Sequence, residues 1–392
     1  MKEVVIVSYA RTAVGTMGGA IKDVHAADLG ATTIKEAIHR AGISSDEVNE
    51  VIMGCVGQVA ESAFIARMCA LRAGVPSSSN AYTVNRLCGS GLQAINNAVQ
   101  QIQTGNAEVV VAGGTENMDQ LPYYVRKGRY GYRFGHSQLE DGLLTALTDP
   151  FGNYPMGVTA EKVAERFDIP REDQDEFAYE SQLKATEAID KGYFKEQIVP
   201  IEVKGKRGEV VTFDTDEHPR KGVTVEKLAK LKPTFKEGGT VTPGNSSGIN
   251  NGAAALVLMT SEKAEQLGLT PIAYVREQAL AGVEPEIMGI GPAPAVKNLL
   301  EKVNLTLDDI DLMELNEAFA SQSVAVIKEL GIEREKVNVN GGAIALGHPI
   351  GATGGIITVK LLDELKRRGL KRGVSTMCIG GGQGIATLFE LV

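Results

Sequence analysis

The chain is poor in the residues that most often announce a site. Its 392 residues hold only four cysteines and five histidines. Cys55, Cys69, Cys88 and Cys378 show no C-x-x-C spacing, and no secretory signal accompanies them. They are therefore expected to be free thiols in a reducing compartment, with no disulfide framework. Basic residues are outnumbered, 40 against 49 acidic, for a formal charge of −9, so no nucleic-acid partner is expected. No run approaches the roughly 18–20 apolar residues of a membrane span. The opening MKEVVIVSYARTAVG lacks the n-region, h-region and cleavage site of a signal peptide and reads as a buried strand entering a turn. The cytoplasm is the expected location, with no membrane partner.

Two short basic clusters stand out against the acidic total: Arg126, Lys127, Arg129 and Arg133, then Lys204, Lys206 and Arg207. Solvated faces explain them most simply; an anionic cofactor's phosphates are the other reading. Glycine, by contrast, is abundant, with 45 residues gathered at a few corners.

Alternating apolar runs and amphipathic stretches predict an α/β fold, and the chain repeats itself. GISSDEVNEVIMG (42–54) matches NLTLDDIDLMELN (304–316), AYTVN (81–85) matches KVNVN (336–340), and AEVVVAGG (107–114) matches GVSTMCIGG (373–381). The offset stays at about 260 residues throughout, which indicates duplicated halves. Each half reads strand, helix, strand, helix, strand, glycine corner, helix, strand. The expected division is 1–117 plus 243–270 for the first half, 271–392 for the second, and an inserted loop domain at 118–242 as a substrate-binding cap.

The scarce cysteines and histidines fall on glycine corners. Cys88 in VNRLCGSG (84–91) precedes a predicted helix, whose dipole and free N–H groups would stabilise a thiolate. Gly89-x-Gly91-x-x-Ala94 also resembles a dinucleotide fingerprint. However, the acidic residue required after the next strand is missing, since Glu108 precedes VVVAGG. His348 lies in GGAIALGHPIGATG, expected between a strand and a helix, at the corner that the repeat equates with Cys88. If the halves face one another, imidazole can take the thiol proton. Cys378 ends an apolar strand before Gly380, Gly381, Gly382 and Gly384, a backbone suited to an oxyanion hole. A second cysteine as acid or base suits carbon–carbon chemistry on thioesters. Asn316, at a strand end in LNEAFA, can donate to the enolate or cap the following helix.

Together these segments resemble the thiolase family: VNRLCGSG its nucleophile motif, NEAFA its asparagine motif, NVNGGAIALGHPIGATG its histidine motif and CIGGGQG its second cysteine motif. The similarity runs nearly end to end. It implies a duplicated α-β-α-β-α five-layer fold with a loop domain, assembled as a homodimer or homotetramer. The implied reaction is the reversible condensation of two acetyl-CoA into acetoacetyl-CoA and CoA through acyl-Cys88. Here His348 is the base for Cys88, Cys378 removes the α-proton, Asn316 holds a water at the enolate, and backbone N–H groups of Cys88 and Gly380 hold the oxyanion. Coenzyme A, acetyl-CoA and 3-ketoacyl-CoA are implied as substrates, with no permanently bound cofactor and no metal. Carried over by motif, Arg220 would lie near the adenine, Ser247 near the pantetheine, and Met288 and Phe319 at the acyl end.

Three departures bear on this. Pro155 stands where acetoacetyl-specific members have histidine, which is similar to thiolases of broader 3-ketoacyl range and keeps a degradative enzyme open as the alternative. Asn251 replaces a common aspartate, and ESAFIARMCALRAG (61–74) differs at a segment implied to touch a dimer partner. A ketoacyl synthase of the same fold would be expected to use two histidines. A silent CoA-binding scaffold would not need all four chemical residues.

Overall fold

The computed structural model describes residues 2–205 and 207–392, so Lys206 of the second basic cluster lies outside the described residues. The first half runs β1 (Val4–Arg11), α1 (Ala26–Ala41), β2 (Glu50–Gly54), α2 (Ile65–Arg72), β3 (Asn80–Val84), α3 (Ser90–Gln103) and β4 (Val109–Asn117). Short hairpins and helices follow, among them α4 (Met156–Arg166) and α5 (Arg171–Asp190), before β5 (Asn250–Thr260) rejoins the sheet. The second half runs β6 (Ala273–Gly282), α6 (Pro292–Val303), β7 (Leu312–Leu315), α7 (Ala320–Leu330), α8 (Thr353–Arg368), β8 (Arg372–Ile379) and β9 (Gln383–Leu391).

The repeat is visible in the pairing. In the first half the strand order is β3-β2-β4-β5-β1, with β2 parallel to β3 and β4 and the remaining pairs antiparallel. In the second half it is β7-β8-β9-β6, with one parallel pair, β7 with β8, followed by two antiparallel pairs, one parallel pair fewer than in the first half. The counterpart of β3 is the exception. KVNVN forms no strand, only a parallel bridge between Val337 and Met313, so His348 does not follow a strand as expected. The reason lies in Asn338. Its side chain takes the place of a ladder, accepting from Leu315 N–H and donating to the Leu315 carbonyl.

Period-two alternation divides each strand between two cores. Val4, Ile6, Val110, Ala112, Leu256 and Leu258 face a central layer, while Val5, Val7, Val109, Val111, Val257 and Met259 face α1 and α2. In the second half Met377, Ile385 and Phe389 join the central core, and Val374, Ala386 and Leu388 turn outward onto α6 and α7. Five layers result, with α3 and α8 sandwiched between the sheets. The halves also meet edge to edge, through Val5 with Tyr274 and Ile6 with Ala273.

The central helices approach backbone to backbone. A Cβ at Gly91 would lie 2.9 Å from both the Gly351 carbonyl and the Gly355 nitrogen, and one at Gly354 would strike the Leu92 nitrogen. These glycines are what let the N-termini of α3 and α8, and the corners before them, come together. Among the described residues no helix is long and apolar enough to cross a membrane.

Candidate active site

Cys88 sits on a strained turn two residues before α3. Asn85 Oδ1 accepts from Leu87 N–H at 3.0 Å, and Leu87 is left-handed, with φ of +44°. That conformation is costly for a bulky side chain and is held here by Ser90. The Ser90 hydroxyl donates to the Leu87 carbonyl at 2.6 Å and accepts from Arg86 N–H at 2.9 Å. The turn lifts the half-buried Cys88 into a cavity of about 80 Å³. Leu87, Ala146, Leu147, Met156, Ser247, Met288, Ala318, Phe319, His348, Ile350 and Gly380 complete its lining.

His348 enters this cavity from the opposite half and is held on three sides. Its N–H donates to Asn250 Oδ1 at 2.9 Å, and its Nδ1 lies 2.7 Å from Thr353 Oγ1. Its Nε2 is 3.5 Å from Asn316 Nδ2. The loop after it is pinned by the buried Glu116 carboxylate, which accepts from Gly351, Val56 and Gly57 N–H. Burial lowers the His348 pKa to about 4, so the ring is neutral near pH 7.

Asn316 does not cap a helix, since α7 begins only at Ala320. It continues β7, its N–H donating to the Thr376 carbonyl at 3.0 Å, and its buried Oδ1 has no partner among the described residues. Cys378, near the end of β8, is wholly buried with Met288 and Ala318. Burial and the nearby Cys88 sulfur both hold its thiol well above the ordinary range.

One expectation fails. Cys88 is not a stabilised thiolate: burial pushes its pKa up to about 11, with Glu116 adding to the rise. The N–H groups of Gly380 and of Cys88 itself pull the other way but do not prevail. Near a helix terminus the favourable field is worth on the order of 1 kcal/mol, whereas desolvating an anion costs more. The two groups that line the cavity are therefore neutral at rest, Cys88 as a thiol and His348 as an imidazole.

Of the binding residues read from the sequence, Ser247, Met288 and Phe319 line the cavity. The Ser247 loop is stitched to the Asn316 segment by Ser247 N–H donating to the Ala318 carbonyl at 3.0 Å. Arg220 does not line it. Its side chain is exposed, on a segment whose His218 ring packs against Gly248. Leu87, Ala146, Leu147, Met156, Ala318, Ile350, Asn250, Glu116 and Thr353 were missed as site residues. Thr353 lies inside the histidine motif and could have been singled out; Leu147 carries no sequence signal.

The model of the thiolase N-terminal domain matches residues 4–262, and that of the thiolase C-terminal domain matches residues 269–391. The chain belongs to the thiolase family. Among curated thiolase relatives, it is 52% identical to an acetyl-CoA acetyltransferase of Syntrophomonas wolfei, over 99% of both chains. It is also 52% identical to the beta-ketothiolase BktB of Cupriavidus necator, over 100% of both. A solved acetyl-CoA acetyltransferase of Bacillus anthracis superposes with a TM-score of 0.98 at 50% identity, covering 100% of this chain and 99% of that one. Human mitochondrial 3-ketoacyl-CoA thiolase in complex with CoA gives 0.97 at 45%, covering 100% and 98%.

Proposed function

We propose that this thiolase condenses two acetyl-CoA into acetoacetyl-CoA and CoA, reversibly, through an acetyl-Cys88 intermediate. The observation that carries this is the convergence of Cys88, His348 and Gly380 on one cavity, with Asn316 and Cys378 directly behind it.

Because the resting thiol is protonated, proton transfer and attack proceed together. Cys88 Sγ bonds to the thioester carbon as its proton passes to His348 Nε2. Negative charge moves to the carbonyl oxygen, which the Gly380 and Cys88 N–H groups hold. The carbon–sulfur bond to CoA then breaks, and Cys378 protonates the leaving thiolate. Cys378 is now the anion needed to remove the α-proton of a second acetyl-CoA. The imidazolium N–H of His348 and the Asn316 amide stabilise the resulting enolate. Carbon–carbon bond formation expels Cys88, which recovers its proton from His348.

The small cavity, walled by Leu87, Leu147, Met156, Met288 and Phe319, favours a short acyl group. Residues 118–242 act as the cap over CoA, with Arg220 reaching the adenine and Ser247 the pantetheine, and no cofactor is retained between turnovers. A cytoplasmic place in fatty acid metabolism and a homodimeric or homotetrameric assembly belong to the same proposal. Phe64, Leu71, Tyr130 and Phe134 supply exposed apolar surface that assembly would cover.

Mass spectrometry after incubation with acetyl-CoA should find one acetyl group, on Cys88, and Cys88→Ala should abolish it. Cys378→Ala, lacking the acid for the leaving group, should acylate slowly and form no carbon–carbon bond. An unmodified wild-type chain overturns the reading, and condensation by Cys378→Ala at the wild-type rate overturns its role as base.

A further inference from the structure

His348 can serve as base only if Nε2 is the bare nitrogen, and nothing in the ring itself decides that. We propose that Thr353 is a positioning residue that fixes His348 as the Nδ1–H tautomer, leaving Nε2 as the bare nitrogen on the side of the cavity that Cys88 also lines.

Thr353 Oγ1 lies 2.7 Å from His348 Nδ1 and 2.9 Å from the Pro349 carbonyl oxygen, and both groups are buried. A carbonyl oxygen only accepts, so the one hydroxyl proton must lie between Thr353 and Pro349. The 2.7 Å contact then takes its proton from the ring, and Nδ1 is the donor. The Pro349 carbonyl also accepts from Ala352 and Thr353 N–H, but were the hydroxyl to donate to Nδ1 instead, its lone pairs would still face that carbonyl oxygen at 2.9 Å with no hydroxyl proton between them, away from water. On the far side Asn316 Nδ2, a donor, faces Nε2, which agrees with a bare nitrogen there. The neutral ring expected from burial makes the choice of tautomer a real one.

The fold builds this chain locally. Pro349 and Thr353 are one helical turn apart at the start of α8, and Asn250 fixes the backbone that carries the ring. Because Thr353 accepts from Nδ1–H whether the ring is neutral or protonated, the ring need not turn when Nε2 gains and loses its proton. The role rests on the reading of His348 as base, but the tautomer can be measured without turnover.

The full-length chain, labelled with nitrogen-15 at its five histidines, is examined near pH 7 by long-range proton–nitrogen correlation, with the His348→Asn spectrum identifying the signal. We expect a protonated Nδ1 and an unprotonated Nε2; the opposite pattern overturns the proposal. Thr353→Val should slow acetylation of Cys88 by on the order of 10²-fold, the low end of what general-base catalysis contributes. KM for acetyl-CoA should be unchanged, and Thr353→Ser should restore the rate to within a few-fold. A Thr353→Val enzyme acylating at the wild-type rate, or a Thr353→Ser enzyme as slow as Thr353→Val, also overturns it. If Thr353→Val does not fold, the wild-type tautomer and the Thr353→Ser rate still decide. Should the wild-type chain fail to acylate while showing Nδ1–H, the proposed activity falls and the tautomer assignment stands.

Discussion

Gly354→Ala sets helix propensity against catalytic geometry. Alanine is favoured over glycine inside a helix by about 1 kcal/mol, so propensity alone makes this change stabilising. The tertiary structure opposes it. The new methyl would fall on the Leu92 nitrogen and lie 2.7 Å from Leu92 Cβ and 2.9 Å from the Gly91 carbonyl carbon, where ordinary contact begins near 3.4 Å. Two of these atoms are backbone in the facing helix, so no rotamer change relieves the clash. Overpacking of this kind costs about 1–3 kcal/mol, which exceeds the propensity gain. The larger effect is on rate. To admit the methyl, the N-termini of α3 and α8 must part by roughly 1 Å, and a displacement of that size between reacting groups costs on the order of 10²-fold. Because Cys88 and His348 stand immediately before those termini, acetylation should slow by that factor. Rapid-quench mass spectrometry of Cys88 measures the rate, with urea unfolding alongside. Gly91→Ala, 2.9 Å from backbone atoms, should behave similarly, and Gly355→Ala, whose nearest neighbour is the Ala254 methyl at 3.1 Å with backbone no closer than 3.6 Å, should be milder. A Gly354→Ala enzyme that is both more stable and as fast as wild type would refute the reasoning.

Three further outcomes follow from the same geometry. With its pKa at about 11, Cys88 should be alkylated by iodoacetamide at a rate that climbs tenfold per pH unit from pH 7 to 10; a plateau already reached by pH 6 would show a resting ion pair instead. His348 is lowered from 6.5 to about 4, so its contribution is fully present above pH 6.5 and lost as pH falls through 4, on the order of 3 kcal/mol in all. The unfolding free energy of His348→Asn should fall less steeply across that window than that of wild type, and identical slopes would contradict this. Asp216→Ala strands the buried Arg11 guanidinium, which Asp216 grips at 2.8 and 2.9 Å, and should cost about 3–5 kcal/mol in urea unfolding. A loss below 1 kcal/mol would mean that Gln197 and the Thr12 carbonyl suffice for Arg11.

Most of the candidate site was legible because its residues lie in short, glycine-dense segments. The turn at Cys88, the β8–β9 corner and the start of α8 depend on which residues tolerate left-handed or crowded backbone, and that is local information. The repeat was legible for the same reason, each half restating one order of elements. KVNVN misled because its alternation is that of a strand, while Asn338 spends its amide on Leu315 in place of a ladder. Asn251 shows the reverse case, a departure that the structure explains. Its amide donates to Asp119 Oδ2 at 2.6 Å and accepts from Met118 N–H at 2.8 Å, a pairing that an ionised aspartate beside Asp119 could not make.

The sequence by itself determined the family and the duplicated α/β plan, and it singled out the four residues proposed to carry the chemistry, since these are matters of residue type and order. Only the tertiary structure decided that Cys88 rests as a thiol, that Thr353 and Glu116 stand behind His348, and that Leu147 and Met156 wall the cavity. A pKa is set by how completely the rest of the fold removes water from a group. A cavity wall is set by which distant segments arrive at one place. Neither quantity belongs to any stretch of chain taken alone.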